Sequence, residues 1–100
     1  MIIVSGLIEI DPANHDAAVE LATTLVEATR AEEGDIDYGF WADLTRPGVF
    51  RVYEEWQDEA ALTAHFGEPH MATFMEGLGG LGVTGTSISR HDVASSAPLM

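Results

Sequence analysis

Val49-Phe50-Arg51-Val52-Tyr53-Glu54-Glu55-Trp56, then Gln57-Asp58-Glu59-Ala60-Ala61-Leu62-Thr63-Ala64-His65-Phe66, is the stretch whose reading decides the fold. The first eight residues are β-branched, aromatic and alternating, the pattern of a strand. Alternation puts Phe50, Val52, Glu54 and Trp56 on one side and Arg51, Tyr53 and Glu55 on the other. Asp58 then suits a helix N-cap, and Leu62, His65 and Phe66 are expected to share one helical face. Gly67 stops that helix. Pro69 opens another, with Met71, Phe74, Met75 and Leu78 predicted to face inward.

Working outward, Thr45-Arg46-Pro47-Gly48 separates this strand from Ile36-Asp37-Tyr38-Gly39-Phe40-Trp41-Ala42. Pro47 and Gly48 fit the central positions of a type II turn, so the two strands form a hairpin. Residues 2–10 read as a first strand. Asp11-Pro12 starts a helix expected over 12–32, with Ala18, Leu21, Ala22, Leu25 and Ala28 recurring at helical spacing and Gly34 as the stop. The glycines at 77, 79, 80, 82 and 85 lead into a last strand over 83–93, and residues 94–100 read as a flexible tail.

The order β-α-β-β-α-β predicts an α+β, ferredoxin-like domain over 1–93, an antiparallel sheet with helices on one face. A chain of 100 residues has few elements left for the second face. A homodimer packed sheet against sheet is therefore expected.

Composition narrows the function. Seventeen acidic residues face four arginines and no lysine, for a net charge of −13. Such a surface repels phosphate backbones and anionic lipids, which excludes nucleic-acid and membrane-surface roles. Without lysine there is no Schiff-base chemistry. Without cysteine there are no disulfides, thiolate nucleophiles or cysteine-bound metals. Met1-Ile2-Ile3-Val4 lacks a basic start and soon meets Glu9 and Asp11, so it reads as a strand, not a secretory leader; the expected compartment is the cytoplasm.

The reactive side chains concentrate near the strand-to-helix junction. His65 is the preferred general base, with an imidazole suited to neutral pH, and Glu54 is its expected carboxylate partner. His70, beside a proline at a helix start, is a reserve base. Trp56 supplies a stacking wall and Tyr38 a phenol, with Phe50 and Phe74 completing an apolar, substrate-binding lining. The alternative for Trp56 and Tyr38 is packing, and for His65 a satisfied buried imidazole. His15 and His91 read as solvated. His65 and His70 with Glu54 or Glu68 do not make a recognised metal spacing, and the glycines around 79–82 are no phosphate loop. No metal and no cofactor is expected.

The residues Glu33-Gly34 before a strand carrying Tyr38, then Phe50-x-Val52-x-Glu54-x-Trp56, Asp58-Glu59-x-x-Leu62-x-x-His65 and His70-x-x-x-Phe74 resemble the antibiotic biosynthesis monooxygenase superfamily. The resemblance implies ferredoxin-like dimers whose sheets form an α/β barrel, with a pocket between sheet and helices. It also implies chemistry among cofactor-free oxygenases of quinols and polyketide anthrones, haem-degrading enzymes or a signal-molecule isomerase. Ser5, Gly6 and Leu7 stand where the haem-degrading branch has an asparagine, and Met75 where its haem histidine belongs, so haem is disfavoured. The expected activity is cofactor-independent oxidation of a small phenolic, quinol or polyketide-like aromatic by dioxygen. A non-catalytic binding or dimerisation module and a cofactor-free isomerase are the alternatives.

Overall fold

In a computed structural model covering residues 1–100, the sheet forms around two central strands. Strand β1 (Ile2–Ile10) and strand β3 (Val49–Trp56) pair antiparallel, with β2 (Asp35–Ala42) and β4 (Val83–Asp92) at the edges in the order β2-β3-β1-β4. Helices α1 (His15–Thr29), α2 (Glu59–Phe66) and α3 (Pro69–Gly79) complete a ferredoxin-like α+β fold. No helix is long and apolar enough to cross a membrane.

The β3 alternation holds: Phe50, Val52, Glu54 and Trp56 are all buried. Register carries it across the sheet. Ile2 pairs with Trp56, Val4 with Glu54 and Ile8 with Phe50, while Tyr38 pairs with Glu54 from the other side. Leu25, Leu62, Phe74 and Leu78 pack onto this face. Strand β4 buries none of its residues.

The caps act locally. The Asp58 carboxylate accepts from the Ala61 N–H at 2.8 Å, and Pro69 occupies the first turn of α3. At the start of α1 the structure differs from expectation. Residues Pro12–Asn14 form a 3-10 turn capped by Asp11, and the α-helix runs only from His15 to Thr29. Pro12 has no N–H and the tight turn spends the first carbonyls on i+3 partners, so regular helix begins later.

Two inward-facing assignments are corrected. Phe66 is 62% exposed and Met75 55% exposed. Both lie on helices that cover the sheet with a narrower apolar stripe than their composition suggests, so Leu62 and His65, then Phe74 and Leu78, take the inner positions.

The hairpin turn is tied to α1 by a residue expected to be solvated. The Gly48 N–H donates to His15 Nδ1 at 3.0 Å, and the His15 ring stacks on Phe50 with centroids 4.9 Å apart. His15 is thus a structural clamp, whereas His91 is exposed. Gly48 has φ of +80°, and a Cβ there would lie 2.5 Å from the Ile10 carbonyl oxygen. Gly48→Ala should therefore cost about 1–3 kcal/mol, read as a lower urea midpoint with unchanged m-value; an unaltered midpoint would show that this turn relaxes freely.

Candidate active site

The reactive groups gather at the Trp56 end of the sheet. The Trp56 indole N–H donates to Glu54 Oε1 at 2.9 Å, inside the core. Glu54 is therefore the partner of Trp56 and not of His65, which corrects the expected pairing. Residues i and i+2 of a strand project from the same face, so the indole at 56 reaches the carboxylate at 54 without leaving its own strand.

The carboxylate that holds His65 is Glu32, in the turn between α1 and β2. Its Oε2 lies 2.7 Å from His65 Nδ1 and 2.7 Å from His70 Nε2. One oxygen thus serves two imidazoles. A carboxylate only accepts, so both of those ring nitrogens carry hydrogen. In neutral His65 the lone pair then sits on Nε2, which is buried and has no hydrogen-bond partner. His65 itself is fully buried. Around it stand Trp56, with ring centroids 4.7 Å away, Tyr38 at 5.4 Å and Phe66 at 5.8 Å.

Sequence reasoning missed Glu32 because it lies 33 positions from His65. The only local signal was its place in the acidic turn Glu32-Glu33-Gly34, which gives no hint of direction.

Negative charge crowds this end. Burial raises the pKa of Glu54; the Trp56 N–H and His65 oppose that rise, and Asp35 and Glu32 add to it. Burial also raises Asp35, with repulsion from Asp37 and Glu32. Asp35 Oδ1 and Thr29 Oγ1 are buried without partners. Burial, reinforced by Glu54 and Glu32, holds the Tyr38 phenol protonated far above its ordinary range. Tyr38 is almost wholly enclosed, so its side chain packs within the cluster.

The expected lining is not brought together in one place. Phe50 lies six residues from Trp56 along β3, about 20 Å at the rise of a strand. Parity placed them on one face but said nothing of distance. Phe50 borders a separate cavity of about 380 Å³ between α1 and β2, walled by Val26, Arg30, Phe40 and Trp41. Phe74 packs against Phe40, ring centroids 5.6 Å apart, beneath α1. Of the eight groups now in view, Glu32, Tyr38, Glu54, Trp56, His65 and His70 make one cluster; Phe50 and Phe74 belong elsewhere. Within the cluster, Glu32, His65 and His70 have the donor atoms that could hold a metal.

The raised Glu54 carboxyl has a pH consequence. As pH rises past the ordinary carboxylate range, the unfolded chain releases this proton before the folded chain does. Folding therefore loses stability through that window. Glu54→Gln keeps an acceptor for the indole and cannot ionise. Its stability relative to the wild type should improve between about pH 4 and about pH 7, measured by urea unfolding at both values. A constant difference would show that Glu54 ionises as readily folded as unfolded.

Comparison with known proteins places this arrangement. Residues 1–77 match the model of the family described as antibiotic biosynthesis monooxygenase. An uncharacterised Synechocystis protein, sll1783, is 36% identical over 75 residues, which are 75% of this chain and 51% of that protein. The match thus spans about half the length of that relative. The Bacillus subtilis protein named "Putative monooxygenase YcnE" is 31% identical over 75 residues, 75% of this chain and 79% of its own. A Deinococcus radiodurans crystal structure described as a "putative antibiotic biosynthesis monooxygenase" superposes with a TM-score of 0.92 at 26% identity, covering 100% of this chain and 99% of the other. A conserved Methanosarcina mazei protein gives 0.83 at 30% identity, covering 90% and 89%. With its sheet order, its Trp56-to-His65 junction and the match over residues 1–77, this chain belongs to the antibiotic biosynthesis monooxygenase family.

Proposed function

We propose that the protein is a cofactor-independent oxygenase of a small phenolic, quinol or polyketide-like aromatic. The observation that carries this reading is the Glu32–His65 pair. Glu32 holds Nδ1–H and leaves Nε2 as an unpartnered acceptor beside two aromatic rings. A carboxylate-oriented imidazole is the arrangement of a general base, and Glu32 would also stabilise the imidazolium that forms.

Deprotonation turns the substrate into an electron-rich anion that can itself reduce dioxygen. One oxygen atom enters the product, replacing two hydrogens, and the other leaves as water. All four electrons come from the substrate, so no external reductant is needed. Trp56 and Tyr38 provide flat apolar walls that exclude water from the anion. His65 is enclosed, and the exposed Phe66 ring beside it is the side chain whose movement would admit a substrate. His70, a fifth exposed at its side chain, forms the rim and secures Glu32.

The active form in this reading is a cytoplasmic homodimer. Ile3, Leu7 and Tyr53 lie on the sheet face away from the helices and are only partly covered within one chain. That supports packing against a second copy.

A second reading rests on the 380 Å³ cavity between α1 and β2, which lies away from His65 and has the volume of a small-ligand site. There the protein would bind a small molecule without transforming it. A cofactor-free isomerase would use the same histidine without oxygen.

An oxygen electrode distinguishes these readings. Purified protein with hydroquinones and anthrones should consume one dioxygen per product with no added cofactor. His65→Gln should lower kcat by about 10²–10⁴-fold while circular dichroism stays unchanged. Turnover without oxygen uptake would indicate the isomerase. Binding without turnover would leave only the binding module.

A further inference from the structure

We propose that Glu32, His65 and His70 form a binding site for a first-row divalent transition-metal ion. Glu32 Oε2, His65 Nδ1 and His70 Nε2 lie within 4.8 Å of one another. They arrive from three separate places: the turn after α1, the last turn of α2 and the first turn of α3. Spacing along the chain could not reveal this, because His65 and His70 lie on either side of a helix break and Glu32 is 33 residues before His65.

Two imidazole nitrogens and one carboxylate oxygen suit Zn²⁺, Fe²⁺ or Co²⁺ better than Mg²⁺ or Ca²⁺, which favour all-oxygen shells. Three protein ligands also leave positions for water. Coordination at about 2.0–2.2 Å sets neighbouring ligand atoms about 3.0–3.5 Å apart. Oε2 therefore has to withdraw by about half an ångström from each nitrogen. The two nitrogens, which set the 4.8 Å span, have to approach each other by about 1.3–1.8 Å, the partly exposed His70 ring swinging towards the buried His65. Glu32 lies in a turn, outside any helix, where a carboxylate can rotate that far.

The surroundings call for positive charge. Asp35 and Glu32 both repel charge on Glu54, Glu32 repels charge on Asp35, and Asp35 Oδ1 is buried without a partner. The fixed cation acting on Asp35 is Arg30, and its Nε already donates to the Tyr38 carbonyl at 3.0 Å. A divalent ion at the trio would supply what the cluster lacks. Solvent reaches it past His70, whose side chain is 20% exposed against 8% for Glu32 and 1% for His65.

Metal binding does not depend on the oxygenase reading. The ion takes the place of the His65 Nδ1 proton, so the ring proton moves to Nε2. Cation-loaded and cation-free proteins then carry opposite His65 tautomers, and only the free form offers Nε2 as a base.

The test is calorimetric titration of the chelator-treated protein with ZnCl₂ at neutral pH. One saturable site per chain is expected, lost in His70→Ala and in Glu32→Gln and retained in His91→Ala, whose histidine is exposed on β4. Imidazole ¹⁵N NMR of the wild type covers the case of a variant that fails to fold: Zn²⁺ should shift His65 and His70 and leave His15 and His91 in place. Absence of saturable binding, binding that survives both substitutions, or shifts confined to His15 or His91 would overturn the site and leave the trio a hydrogen-bonded unit. Oxygen uptake is not read, so loss of the oxygenase reading would leave this result standing.

Discussion

The two-residue pleat of β3 is the constraint on which the rest depends. This strand is central, and its inward row is Phe50, Val52, Glu54 and Trp56. A slip of one residue would bring Arg51, Tyr53 and Glu55 under the helices and expel the indole. Gly48 and His15 oppose the slip at the hairpin end, and the Trp56–Glu54 hydrogen bond makes the native row tolerable by satisfying its one polar pair. An unpaired indole N–H or carboxylate in that row would carry the full cost of a buried polar group left without a partner.

At the Trp56 end, the fold does something that burial alone disfavours. It packs an imidazole completely and surrounds it with three carboxylates. The arrangement holds together because Glu32 Oε2 accepts from two rings, so a single anionic oxygen satisfies two buried or half-buried donors. A ring that left the oxygen would leave its own N–H without a partner, a cost greatest for the fully buried His65. The same economy leaves His65 Nε2 with nothing to bond. That unsatisfied atom, with Asp35 Oδ1 and Thr29 Oγ1, departs from ordinary core design, and the proposed general base rests on it.

What was legible in the sequence was local. The β3 alternation, the Pro47-Gly48 turn, the Asp58 cap and Pro69 each depend on neighbours within a few positions, and each element stands where those signals put it. From these the ferredoxin-like order followed. The site was legible in composition but not in pairing. Nearness along the chain favoured Glu54 as the partner of His65, while the winding of α1 delivers Glu32 to the tip of α2. Parity likewise grouped Phe50 with Trp56 because it reports face and ignores distance along the strand. Phe66 and Met75 were misplaced for a related reason: hydrophobicity identifies residues able to face inward, but the packed surface of the sheet admits only some of them.

Strand β4 shows the opposite regime. It pairs with β1 along nearly its whole length and, within the chain, buries none of its side chains. Main-chain hydrogen bonds hold it, with almost no help from packing. The strand is thus held by the ladder to β1 more than by any layer above it. The same condition frees its side chains from the jigsaw of the core. Substitutions on β4 therefore meet no packed neighbour within the chain, so long as they leave its main-chain pairing to β1 intact.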